Sequence, residues 1–219
     1  MIRARRIKGI IFDMDNTLLR SRIDYDSMKK ETYQFLTARN ILPAGYDLTK
    51  HTTATIINEA LGTGSMPDAM IRDMWEIAKR HEIEGMRHAG LEPGVTELLA
   101  RLKGRFHLAV VTNNAVEAAE RALSGNGILD VFDVVVGREM VLSMKPSPDG
   151  NLLVLQKFPQ TSPEEWLSVG DSWIDGKAAA DAGMTFAAYR ADSAKLNFMG
   201  VHPLSNLSDI RDVLHIVDD

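Results

Sequence analysis

The stretch IKGIIFDMDNT, residues 7–17, decides the fold: an apolar, β-branched run at 7–12 stops abruptly on Asp13 and Asp15. Short apolar runs bounded by polar residues read as buried strands. Four more runs of this kind follow at 108–111, 131–136, 167–169 and 185–189. Helical stretches separate the later runs, at 95–102, 115–123, around 151–156 and at 176–182. Strands alternating with helices imply an α/β fold whose parallel sheet is covered on both faces.

Between the first and second runs the rhythm breaks. About 90 residues lie there, where a simple strand-helix-strand crossover needs about 30. The intervening pattern is helical at 25–39, 48–61 and 67–88, with Met70, Met74, Ile77 and Ile83 at helical spacing and breaks at Pro43, Gly45, Gly62, Gly64 and Gly90. The expectation is an α-helical domain at 21–90 inserted into an α/β core made of 1–20 and 91–219. Beyond Leu196 the pattern is weak, with a last helix expected at 208–215.

Composition narrows the function classes. With 219 residues, 45% hydrophobic and 25% charged, the chain can bury a core and is neither collagen-like nor disordered. The absence of cysteine excludes a disulfide framework, a zinc-thiolate site and a thiol nucleophile, so any nucleophile is oxygen or nitrogen. No apolar stretch is long enough for a membrane span, and a net charge of −5 argues against a broad nucleic-acid footprint. The basic start, with Arg3, Arg5, Arg6 and Lys8, reads as a solvated entry to the first strand. The apolar run behind it is too short for a signal peptide, so a cytoplasmic protein is expected. No Gly-x-Gly-x-x-Gly follows a strand, which leaves a dinucleotide site without support.

The chemistry is written at the ends of the runs, because ligands of parallel α/β sheets bind beyond the carboxyl ends of the strands. The first run ends in Asp13 and Asp15, the second in Thr112, Asn113 and Asn114, and the fourth in Gly170-Asp171-Ser172 with Asp175 beyond; Lys145 follows the third. Carboxylates gathered at one edge need a cation or a shared proton. Magnesium is the natural partner, a hard ion taking oxygen ligands, and Asp13, Asp171 and Asp175 are of the right kind. Lys145 would neutralise remaining charge. Such a site suits phosphoryl transfer, with Asp13 attacking and Asp15 protonating the leaving oxygen.

Taken in order, DMDNT, VVTNN, MKPSPDG and GDSWIDGKAAADAGM resemble the four motifs of the haloacid dehalogenase superfamily, and LEPGVTELLARL resembles that family's return to the core after a helical cap. The resemblance implies a Rossmann-like sheet of order 5-4-1-2-3 and a small-molecule phosphatase similar to phosphoglycolate phosphatases. It makes Asp13 the nucleophile that becomes an aspartyl-phosphate. Asp15 becomes the general acid and base, its backbone carbonyl also meeting Mg2+. Thr112 and the backbone near Asn113 would hold the phosphate, Lys145 would steady nucleophile and phosphate, and Asp171 and Asp175 would complete the metal site. Asp15 favours phosphoesters over halides or phosphonates, whose leaving groups need no such acid. Asn16 stands where many capped members carry glycine.

Three rival readings stand beside this one: a phosphoglucomutase-like phosphoryl transferase, a phospho-acceptor switch, and a non-catalytic binding subunit. His51, Thr52 and Thr53 could touch a leaving group from the insertion, although solvated helix faces are the commoner role for His51, His81 and His88. Trp173 could wall the pocket or pack beneath it. Arg20 and Arg22 read as ordinary exposed arginines, and the eleven methionines as core filler.

Overall fold

The computed structural model describes residues 7–218; Arg3, Arg5 and Arg6 of the basic start lie outside them. The chain forms two compact units, one that runs to Ser21 and resumes at Ala89, and one made of Arg22–His88.

The first unit carries β1 (Gly9–Phe12), β2 (Leu19–Arg20), β3 (Gly90–Leu91), β4 (His107–Val111), β5 (Val134–Val136), β6 (Trp166–Gly170), β7 (Thr185–Tyr189) and β8 (Asn206–Leu207). Six of these form one parallel sheet in the order β5-β4-β1-β6-β7-β8, while β2 and β3 pair antiparallel. The five expected runs therefore take the expected order, and β8 adds a sixth, edge strand where the sequence shows little pattern. In the central register Gly9 faces His107 on one side and Trp166 on the other, and Phe12 faces Val110 and Val169.

The segment GIIF is apolar throughout because both faces of a central parallel strand are covered; Ile10, Ile11 and Phe12 are completely or almost completely buried. Each such side chain contributes roughly 1.5–3 kcal/mol of transfer free energy. Gly9 is small for a reason: a Cβ there would lie 2.5 Å from ring carbons of Trp166, itself fully buried. The expected strand at 131–136 is shorter than the apolar run. Leu129–Val131 forms a 3-10 turn, and the Asp133 carboxylate accepts the Leu108 N–H at 2.9 Å, so ladder pairing with β4 starts only at Val134.

In the Arg22–His88 unit lie α1 (Tyr25–Thr37), α2 (Thr53–Gly62) and α3 (Asp68–Met86). Asp24 caps α1 by accepting the Ser27 N–H at 2.9 Å. Buried residues recur every four positions along α1 (Met28, Thr32, Leu36) and α3 (Met74, Ala78, Glu82), giving each helix one inward stripe. The single helix expected at 48–61 is broken. Leu48–Lys50 is a 3-10 turn and α2 starts afresh at Thr53, because Thr52 and Thr55 exchange the reciprocal bonds of a capping box.

The remaining helices belong to the first unit: α4 (Val95–Leu102), α5 (Val116–Gly125), α6 (Asp149–Lys157), α7 (Trp173–Asp181), α8 (Ser193–Phe198) and α9 (Val213–Asp218). The sequence pattern misses α8 and starts α7 at residue 176, three positions late. It also places the last helix at 208–215, whereas a 3-10 turn at Ile210–Asp212 leads into α9. Among the described residues no helix is long and apolar enough to cross a membrane.

Candidate active site

The site grows from the end of β1. Asp13 follows that strand directly, and its N–H donates to the Val169 carbonyl of β6 at 2.8 Å, which fixes the carboxylate beyond the sheet edge. The chain then turns sharply. Leu18 and Leu19 both donate to the Met14 carbonyl at 2.9 Å, and Asn16 donates to the Leu19 carbonyl at 2.7 Å. Asn16 takes a left-handed φ of 56° in this turn, a conformation asparagine tolerates better than most residues. That accounts for asparagine at this position.

Lys145 sits at the centre. Its Nζ donates to Asp13 Oδ1 at 2.6 Å, to Asp175 Oδ1 at 2.7 Å and to the Val111 carbonyl at 2.8 Å, so all three ammonium protons are directed. Burial alone would depress this amine; the charges of Asp13 and Asp175 outweigh it and hold the group above its ordinary value, so it remains a cation. Asp175 is the third residue of α7. Its Oδ2 accepts the Ser172 N–H at 3.0 Å while Ser172 closes the capping box, leaving Oδ1 for Lys145. Gly170 makes room for it, since a Cβ at that position would stand 2.5 Å from the Asp175 carboxyl carbon.

Asp13, Asp171 and Asp175 each bring a carboxylate oxygen within 4.8 Å of the others. One lysine does not balance three carboxylates, and burial adds to the imbalance. Burial, then the charge of Asp13, pushes Asp171 up to about 8. Burial also raises Asp175 to about 6, against the pull of Lys145. A partly buried set of hard oxygen donors with surplus negative charge fits a divalent cation such as magnesium.

Three residues at the end of β4 frame the other side. Thr112 is buried, donating its N–H to Val136 at 2.9 Å and accepting the Asn114 N–H on Oγ1 at 3.2 Å. The Asn113 side chain clasps the Lys145 backbone, donating to its carbonyl at 3.0 Å and accepting its N–H at 2.9 Å. Asn114 turns inward and donates its side-chain amide to Asp15 Oδ2. The structure thus brings Asp13, Lys145, Asp171 and Asp175 together and ties Asp15 to β4 through Asn114. Asn113 works on the lysine loop with its side chain, a role the sequence reading did not assign. The contact between Asn114 and Asp15 was also missed; the two lie 99 positions apart and no local pattern links them.

Other candidates find structural partners. His51 stacks on Tyr46 with ring centres 5.1 Å apart, Thr52 is spent on its helix cap, and His81 pairs with Glu31 at 2.9 Å. Trp173 packs against the apolar core around β6 and β7. Arg20 donates to the Leu91 carbonyl at 3.3 Å and approaches Glu92 at 3.8 Å.

Comparison with known proteins agrees with this architecture. Residues 10–189 match the family model of the haloacid dehalogenase-like hydrolases. The chain is 28% identical over 194 residues to a phosphoglycolate phosphatase of Rhodobacter capsulatus, with 83% of each chain covered. It is also 28% identical over 191 residues to an N-acetylmuramic acid 6-phosphate phosphatase of Pseudomonas putida, covering 84% of this chain and 83% of the relative. Among solved structures, CbbY of Rhodobacter sphaeroides, crystallised with phosphate, superposes with a TM-score of 0.68 at 21% identity, covering 97% of this chain and all of that one.

Proposed function

The chain belongs to the haloacid dehalogenase-like hydrolases, as a hydrolase of phosphoric monoesters, and we propose that it is a magnesium-dependent phosphatase of small phosphorylated metabolites working through an aspartyl-phosphate on Asp13. The observation that carries this reading is the Lys145 ammonium set between Asp13 and Asp175, with Asp171 completing a carboxylate cluster too negative to receive a phosphate dianion unaided. Asp13, Asp171 and Asp175, with the Asp15 carbonyl, would hold magnesium. When bound, the ion supplies positive charge against the carboxylates and the phosphoryl oxygens.

The remaining chemistry belongs to the chain. Lys145 orients the Asp13 carboxylate, one oxygen of which forms a bond to phosphorus as the bond to the leaving oxygen breaks. Asp15 gives its proton to that oxygen, so an alcohol departs, a step for which general acid catalysis is typically worth ~10²–10⁴-fold. Asp15, now a carboxylate, takes a proton from the water that attacks the acyl phosphate. Phosphate leaves, and Asp13 is regenerated with Asp15 protonated. Thr112 and the backbone at Asn113 would receive phosphoryl oxygens. Since relatives act on esters as different as phosphoglycolate and N-acetylmuramic acid 6-phosphate, the reading commits to phosphate monoesters as a class.

The test is phosphate release from a panel containing those two esters and hexose phosphates, in Mg2+ and in EDTA, with Asp13→Asn in parallel. Release that needs Mg2+ and is lost in the variant is expected. Equal release by the variant, or none from any ester with Mg2+ present, would overturn the proposal.

A further inference from the structure

Asn114 is a buried polar residue of the site for which the reaction above has no use. Its backbone is pinned on both sides: its N–H reaches Thr112 Oγ1 at 3.2 Å and its carbonyl accepts the Arg138 N–H at 3.0 Å. The neighbouring chain holds it close, for a Cβ on Gly137 would stand 2.9 Å from the Asn114 carbonyl oxygen. So fixed, Asn114 is 4% exposed and has its side-chain amide against Asp15 Oδ2, which is buried as well.

An acid that must protonate a departing oxygen and later deprotonate a water has to keep one orientation through both steps, and small displacements of such a group are costly. An amide can hold it without changing its own charge at any working pH. We propose that Asn114 is the positioning residue for Asp15, a brace from the end of β4 that aims the acid at the leaving oxygen. The inference rests on the reading of Asp15 as the general acid.

Leaving-group dependence tests both and separates them. Values of kcat/KM report the reaction up to departure of the leaving group. They are measured for phenyl, nitrophenyl and dinitrophenyl phosphate with wild-type enzyme, Asp15→Ala, Asn114→Ala and the double variant. Phenolate leaves badly without a proton, whereas dinitrophenolate leaves well. Asn114→Ala is expected to lose about tenfold on phenyl phosphate, a part of the ~10²–10⁴ available to general acid catalysis, and less than about twofold on dinitrophenyl phosphate. Once Asp15 is alanine, removing Asn114 should add no leaving-group-selective loss. Should Asn114→Ala fail to fold, Asn114→Ser decides by the same ratio.

Equal losses across the series in Asn114→Ala, while Asp15→Ala discriminates, overturn the brace and leave the acid in place. A selective loss that persists in the double variant also overturns it, because Asn114 would then act without Asp15. No discrimination by Asp15→Ala overturns the acid itself and the brace with it.

Discussion

Asp171→Asn should make the metal-free protein more stable at high pH while destroying its response to Mg2+. Burial and the charge of Asp13 lift the Asp171 carboxyl from 3.8 to about 8. The folded value lies above the unfolded one, so between the two the folded state binds more protons. Stability in EDTA must therefore fall as pH rises across that window. At 1.36 kcal/mol per unit, a shift of about four units sets a ceiling on the order of 6 kcal/mol. Asp175, raised to about 6, shares protons with it, and a decline of about 2–4 kcal/mol between pH 5 and pH 8 is the expected range. Urea unfolding in EDTA at several pH values gives the slope directly. Repeating it in Mg2+ at one hundred times its dissociation constant should restore about 2.7 kcal/mol to the wild type. In Asp171→Asn the slope should be much flatter and the Mg2+ increment should vanish. A variant with the wild-type slope and the wild-type Mg2+ response would refute the account of this cluster.

Lys145→Met removes the cation that Asp13 and Asp175 share; breaking such a buried pair should cost about 3–5 kcal/mol in urea unfolding at pH 7 and abolish turnover, whereas wild-type stability with undiminished activity would contradict the central role of the lysine. The Lys145 contribution itself should stay constant up to pH 9, since its amine is raised and loses its proton only above the ordinary lysine range. Gly170→Ala should push the Asp175 carboxylate off its position and weaken Mg2+ binding in calorimetry by about tenfold or more, the cost of displacing one ligand or its support. Thr52→Ala, by contrast, should remove only a helix cap, costing about 1 kcal/mol in thermal unfolding.

The strands β1, β4, β6 and β7 were legible because they are buried on both faces and so are written as mostly apolar runs, whereas their order came from the resemblance to the haloacid dehalogenase motifs. β8 was not legible, because two residues at a sheet edge leave no such run, and α8 is a six-residue helix with Leu196 as its buried residue. The start of α7 was readable in principle: Ser172-x-x-Asp175 has the spacing of a capping box, and reading Asp175 only as a metal ligand hid its second task. Asp13, Lys145, Asp171 and Asp175 could be collected from the sequence because each follows an apolar run and the sheet lines up the strand ends. The side-chain tasks of Asn113 and Asn114 could not, since each depends on a partner brought close only by the folded loops after β1 and β5.

The claim on which everything else rests is that Asp13 is the atom donor that takes the phosphoryl group. Rapid acid quenching during turnover, followed by tandem mass spectrometry of the peptide containing residues 9–20, tests it directly. The account predicts a hydroxylamine-labile phosphoryl group on Asp13 that disappears in Asp13→Asn. Turnover with no phosphoryl group on Asp13, or with one on another residue, would contradict it.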